Sequence, residues 1–547
     1  MNQNMQPTLQ GKPQPAPLFL SDYPKNANSS ISSGQDSLHP TDDVLPPAHT
    51  NRTLVLCFDG TGDQFDSDNS NIVQLFSMLV KDNPALQMVY YQAGIGTYTI
   101  PEMATPRMAK VSKTVDMMVG THLNAHVMGG YEFLMQNYDA GDKICIFGFS
   151  RGAYTARALA GMIHKVGLLP RCNHQQVPFA YNMYSRDDAE GWALSSKFKK
   201  AFSINVDVEF VGVWDTVSSV GIIPKRLPFT KANSSIRYFR HAISLDEHRV
   251  RFKPNPWIRP TEEHKACGVK REHMPRSFKR VLPKRHEPEN TNTPDSEATK
   301  KSHHHHECQD QMEQMFAVSD SAPIKETDVQ EVWFAGCHCD VGGGSVQNGT
   351  RNSLARIPLR WMIRELFKLQ IGILFHRNMF TKIGIDPKTL YPVSAAMQPR
   401  PPPVYQSPPA PSSGAQKLTI KDRATPPPKV ITDDPAMIVY SDGSAFVSEE
   451  LEDLADATSP MYDQLRLAPV WWLLEIIPQM LHYQDDENNS LVHHYTVNMG
   501  RGRHIARQNN IGVKFHRSVK IRMEADNLAG GKYWPKAKLK VEPEWVD

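Results

Sequence analysis

Apolar positions along this chain fall into two kinds of run. Short unbroken runs occur at Thr53–Phe58, Met88–Tyr91, Ile144–Phe147, Val208–Trp214 and Glu331–Ala335. Four to seven residues with almost no polar interruption are the pattern of strands buried on both faces. Between them the spacing changes to three and four. Ile72 to Val80 reads as a helix, and so does 115–137, through Met118, Leu123, Val127, Tyr131 and Leu134. A third helix, rich in Ala and Leu, begins at Ala153. Strands alternating with helices predict an α/β fold, a mostly parallel sheet with helices on both faces.

Three stretches lack either period. Residues 1–50 are rich in Pro, Ser, Asn and Gln, 263–326 run through Pro, Lys, Arg, Glu and Asn, and 396–432 hold the runs Pro401–Pro403 and Pro426–Pro428. Without an apolar face such segments cannot offset the entropy of ordering. The expected organisation is a disordered tail (1–50), a first core part (51–262), a disordered insertion (263–326), a second core part (327–395), a Pro-rich insertion (396–432) and a C-terminal part of the core (433–547).

Charge and cysteine usage narrow the setting. A net charge of +3 over 547 residues is too small to imply nucleic acid. Cys57 and Cys145, two of seven cysteines, sit inside predicted buried strands, which predicts reduced thiols and a cytoplasmic location. Met1–Leu20 has no charged segment followed by an apolar run, and no stretch of 18 apolar residues follows. Metal and cofactor sites are not expected. The four histidines His303–His306, with Cys308 beyond them, do not converge by themselves, and Cys337-His338-Cys339 on an extended segment would point to opposite faces. Gly94-Ile95-Gly96 lacks the third glycine of a dinucleotide loop, and Asp66–Ser70 lacks the glycine and terminal glutamate of a calcium loop.

The chemistry concentrates in Gly148-Phe149-Ser150-Arg151-Gly152. Strand, sharp turn and helix around a G-x-S-x-G are the context of a nucleophile elbow, which strains the serine backbone and exposes its hydroxyl above the sheet. A serine nucleophile needs a histidine base, held in turn by a carboxylate. Asp215 at the end of Val211-Gly212-Val213-Trp214 and His338 before Gly342-Gly343-Gly344 follow Ser150 in the order such a triad requires. Asp246 and His241 are the rival pair. The oxyanion donors are expected to be the Arg151 N–H with Gly60 or Thr61 in the loop after the first strand. Asp59 and Asp340 read as supports, the latter of the histidine loop. Phe58-Asp59-Gly60-Thr61 also resembles the D-x-D-G-T motif of aspartate-nucleophile phosphatases, but Cys57 stands at the nucleophile position.

Together Phe58–Gly62, Gly148–Arg157, Val213–Val217 and His338–Gly344 resemble the signatures of the α/β-hydrolase family named for the catalytic domain of type VI secretion phospholipase effectors. The match spans about 52–262 and 327–372, with the long insertions of fungal members. The resemblance implies a lipase or phospholipase fold with the triad Ser150, Asp215 and His338. The expected activity is a cofactor-free serine hydrolase acting on an ester or lipid through an acyl-enzyme. The alternatives are an amidase or thioesterase on the same triad, or an idle scaffold binding protein partners through its Pro-rich insertions. Leu465–Leu481, with Trp471-Trp472, reads either as a lid or interfacial helix making peripheral membrane contact, or as a core helix against the sheet. Val513–Arg522 alternates and reads as a half-exposed strand or loop without chemistry.

Overall fold

The computed structural model describes residues 44–46, 51–95, 123–217, 226–258, 312–313, 326–390, 404–406, 419–421, 446, 448–484, 491–526, 528 and 530–547. The expected N-terminal tail, the His303–His306 run and most of the two insertions lie outside them.

Eight strands form one sheet: β1 (Thr53–Phe58), β2 (Gln87–Gln92), β3 (Lys143–Phe149), β4 (Val208–Trp214), β5 (Ile236–Ser244), β6 (Asp328–Phe334), β7 (Lys514–His516) and β8 (Glu544–Val546). Their order is β8-β7-β6-β5-β4-β3-β1-β2, and every pairing is parallel. Besides single-turn helices, the chain forms α1 (Asn71–Met78), α2 (Leu123–Asn137), α3 (Ser150–Val166), α4 (Val177–Ser185), α5 (Ala189–Phe202), α6 (His338–Gly342), α7 (Arg356–Lys368), α8 (Glu449–Ala457) and α9 (Arg517–Glu524).

The period of two in each strand divides the core. Leu54, Leu56 and Phe58 of β1 join Ile144 and Ile146 of β3 in a cluster with α2, α3 and α4. Val55 and Cys57 face the other way, into a cluster with Ile72 and Leu75 of α1 and Trp361, Met362 and Ile363 of α7. Burial on both faces explains why these strands read as continuous apolar runs. Strand β5 escaped the sequence pattern because Arg237, Arg240 and His241 interrupt it. Arg240 is nonetheless buried, its charge met by Glu365 at 2.7 Å and Asp328 at 3.1 Å.

Two local expectations change. The segment 513–522 is a three-residue strand followed by α9, not a continuous extended run. Val404–Gln406 and Thr419–Lys421, inside the Pro-rich stretch, pair antiparallel. The order of winding reverses between β1 and β3: β2 lies on one side of β1, and β3 to β8 extend on the other. In open parallel sheets the crevice beyond the strand ends at such a switch point is where ligands bind.

Candidate active site

β3 and α3 meet at Ser150, whose φ of 58° puts it in the left-handed region. A residue with a side chain there stores about 1–3 kcal/mol of strain. Two glycines make the turn possible. A Cβ on Gly148 would lie 2.4 Å from the Gly152 carbonyl, and one on Gly152 would lie 2.3 Å from the carbonyls of Phe58 and Asp59. The elbow therefore packs directly on the end of β1, bringing the 59–62 loop beside the serine.

Ser150 Oγ lies 2.8 Å from His338 Nε2, and His338 Nδ1 lies 2.5 Å from Asp215 Oδ2. The serine hydroxyl donates to Nε2 and the Nδ1–H donates to the carboxylate, which fixes the tautomer. His338 starts the short helix α6, so Asp340 does not share an extended face with it. Instead Asp340 closes a capping box with Cys337, accepting from the Cys337 N–H at 2.9 Å, and also accepts from the Tyr462 N–H at 3.0 Å. Burial raises the Asp340 carboxyl to about 6, against those hydrogen bonds. The imidazole of His338 lies between the rings of Phe149 and Phe252, each 4.8 Å away. Burial lowers its pKa below the ordinary 6.5, outweighing the attraction of Asp215.

Asp215 also has a positive φ, 41°, and is wholly buried. Burial alone would raise its carboxyl, but Arg503 and His338 hold it well below the usual carboxylate range. Arg503 reaches it with two nitrogens, at 2.5 Å to Oδ1 and 2.9 Å to Oδ2, and the Ser244 N–H donates to Oδ1 at 2.9 Å. The Arg503 guanidinium also donates to the carbonyls of Ser244 and Phe252. This fork is what the sequence reading missed. Arg503 lies 288 positions from Asp215, within no recognisable motif.

The rival pair lies elsewhere. His241 Nε2 accepts from the Thr216 N–H at 3.1 Å, while its Nδ1 is 2.9 Å from Glu331. Asp246 accepts from the Gly336 N–H and the Tyr533 hydroxyl, each at 2.7 Å. Both brace the loops that carry Asp215 and His338. A second brace is Glu247, which accepts from the His338 N–H at 3.3 Å and pairs with Arg249 at 2.8 Å. Arg249 in turn lies over the Phe252 ring at 3.5 Å.

In the β1 loop, Asp59 accepts from the Gly60 N–H at 2.8 Å, Ser70 Oγ at 2.6 Å and Tyr91 OH at 2.7 Å. The Gly60 N–H is thus committed to Asp59, which leaves Thr61 as the loop's candidate amide. The Arg151 side chain crosses to Thr61 Oγ1 at 3.1 Å, tying the elbow to that loop. Among the described residues no cluster of three or more His, Cys, Asp or Glu is arranged to hold a metal ion.

The segment after α8 is on the surface, not in the core. It breaks into a 3-10 turn at Pro469–Trp471 and one α-turn at Trp472–Glu475. Glu475 is buried beneath it and accepts from the N–H groups of Val250 and Gly500 and from Asn498 Nδ2. Trp471 stands edge-on to Phe252 at 5.5 Å, one ring away from His338.

A curated relative, the uncharacterised protein YEL023C of Saccharomyces cerevisiae, is 29% identical over 404 residues, 60% of this chain and 59% of the relative. The chain thus spans about three fifths of the length of that relative. Two solved structures are similar at 17% identity. One is an uncharacterised protein from Pseudomonas aeruginosa (TM-score 0.30; 63% of this chain, 48% of the other). The other is the Tle1 effector bound to the VgrG spike of the type 6 secretion system (TM-score 0.25; 55% and 52%). Residues 52–365 match the family model of the type VI secretion (T6SS) phospholipase effector Tle1-like catalytic domain, and the chain belongs to that family.

Proposed function

We propose that this protein is a serine hydrolase of the lipase or phospholipase type, cleaving a carboxylic ester through an acyl-enzyme. The observation that carries the reading is the continuous chain Ser150–His338–Asp215, with links of 2.8 and 2.5 Å, at a strained elbow above the switch point of the sheet. Membership of a phospholipase-effector family supports the lipid class of substrate.

In this mechanism Ser150 Oγ attacks the acyl carbonyl while its proton passes to His338 Nε2. The carbonyl oxygen becomes an oxyanion, stabilised by the N–H groups of Arg151 and Thr61 together with the positive end of the α3 dipole. Asp215 stabilises the imidazolium without taking its proton. His338 then gives the proton to the leaving alcohol, whose bond to the acyl carbon breaks. Water, deprotonated by the same nitrogen, releases the acid and regenerates Ser150. An amide or thioester would follow the same route. The lipid reading is preferred because of the apolar surface beside the site.

The test is labelling with a fluorophosphonate probe, followed by turnover across soluble esters and phospholipids. Labelling at Ser150, lost in Ser150→Ala with the fold retained, is the expected result. A folded Ser150→Ala protein that still hydrolyses esters overturns the reading.

A further inference from the structure

Soluble proteins hide most large apolar side chains or scatter those they expose. The segment from Leu467 to Ile477 does neither. Leu467 (62%), Val470 (52%), Trp472 (42%), Leu473 (65%), Ile476 (58%) and Ile477 (48%) are all exposed within eleven positions. The peptide is not frayed outward, because Glu475 clamps its underside to the backbone N–H groups of Val250 and Gly500 and to the Asn498 side chain. The apolar side chains are therefore presented from a fixed platform.

Cations flank the platform. Arg466 precedes it with its side chain 81% exposed, in a loose pair with Asp463 at 3.4 Å, a contact worth little at a surface. Arg501 is exposed beside Gly500, which lies against the Trp472 ring. A Trp-Leu-Ile face edged with arginine is the composition that enters the headgroup boundary of an anionic bilayer. The position is as telling as the composition: Trp471, Phe252 and His338 stand ring against ring, so whatever covers this face lies beside the imidazole.

We propose that Leu467–Ile477 is a membrane-docking platform that seats the protein on an anionic phospholipid surface, with the mouth of the Ser150 site turned toward the lipid. The proposal rests on the serine-lipase reading for its purpose, but binding is measurable without turnover.

The experiment uses the full chain carrying Ser150→Ala, so that lipid is not consumed, in sedimentation with vesicles of pure phosphatidylcholine and of phosphatidylcholine with phosphatidylglycerol. The expected result is binding that favours the anionic vesicles. Leu473→Glu with Ile476→Glu, at exposed positions and so harmless to the fold, should weaken it about tenfold or more. Arg466→Gln and Arg501→Gln should each weaken binding to the anionic vesicles about fivefold and leave the neutral ones unaffected. In the Ser150 background, Leu473→Glu with Ile476→Glu should keep turnover of a short soluble ester while losing turnover of vesicle phospholipid. Vesicle binding that is absent, or indifferent to the double glutamate variant, overturns the proposal. So does a wild-type dimer, seen by light scattering, that the same variant splits without any vesicle binding. Failure of the catalytic reading looks different: vesicle binding persists while Ser150→Ala leaves hydrolysis intact.

Discussion

The two ends of the Ser150–His338–Asp215 chain are held in different ways. At the serine end the constraint is local: a positive φ, two glycines whose Cβ positions are already filled by backbone, and a helix that begins at Ser150 itself. At the carboxylate end it is remote. Asp215 is gripped by Arg503, which in turn holds the carbonyls of Ser244 and Phe252. A nucleophile needs one strained backbone geometry, which a five-residue motif can encode. A buried carboxylate needs a neutralising charge, and that charge can come from any part of the chain that packs there.

The largest test of this contrast is Ser150→Ala. Turnover should fall by about four to six powers of ten, and His338→Ala added to it should cost little more, because triad members act as a unit. Asp215→Asn should lower turnover about ten-thousandfold, since the amide favours the wrong imidazole tautomer. Single-turnover kinetics on a soluble ester measures both.

The next test separates charge used for stability from charge used for chemistry. Arg360 of α7 is buried against Asp453 and Asp456 of α8 at 2.7 and 2.6 Å, within a network that includes Arg356 and Arg517. Arg360→Met strips these carboxylates of a partner and should cost about 3–5 kcal/mol in denaturant unfolding, with turnover per folded molecule unchanged. Arg503→Gln should do the reverse in emphasis. It should lower turnover about a hundredfold by loosening the carboxylate, and the loss should appear in kcat more than in KM.

The smallest effect is in pH. His338 must be neutral to act as base, and its pKa lies below 6.5, so the acid limb of kcat/KM should fall below that value. Removing Arg503 leaves Asp215 more able to stabilise imidazolium, which raises the histidine pKa. The limb should therefore move to higher pH in Arg503→Gln. Stability follows the same sign. Asp215 is depressed in the folded state, so its contribution is present at neutral pH and lost only in strong acid. Without Arg503 the loss should begin at higher pH. A limb that does not move would reduce Arg503 to a packing residue.

These two kinds of restraint also explain what could be read from the chain. β1, β3, β4 and the second half of β6 are legible because burial on both faces leaves them almost no polar positions. The elbow, Asp215 and His338 are legible because each follows such a strand directly. β5 is hidden by its own buried charges, β7 shows only as part of a longer alternating run, and β8, three residues at the sheet edge, is too short to show a period. The helical start at His338 was masked by the glycines that follow it. Of the two expected loop donors, Gly60 and Thr61, the Gly60 N–H serves Asp59, a choice made by a side-chain rotamer and not by sequence spacing. Arg503, Phe252 and Glu247 carry no local signal at all, since their roles exist only once distant loops have met.

The reach from Asp215 to Arg503 has a consequence for the order in which the protein is made. Synthesis runs from the N-terminus at about 5–20 residues per second, and domains fold as they emerge. A nascent chain that has emerged through residue 365 holds the matched family region with Ser150, Asp215 and His338, but neither the arginine fork nor strands β7 and β8. Several seconds of translation separate the two stages. Through that interval the Asp215 carboxylate lacks its counter-charge, so the Ser150–His338–Asp215 chain is complete only after the C-terminal segment has folded onto it.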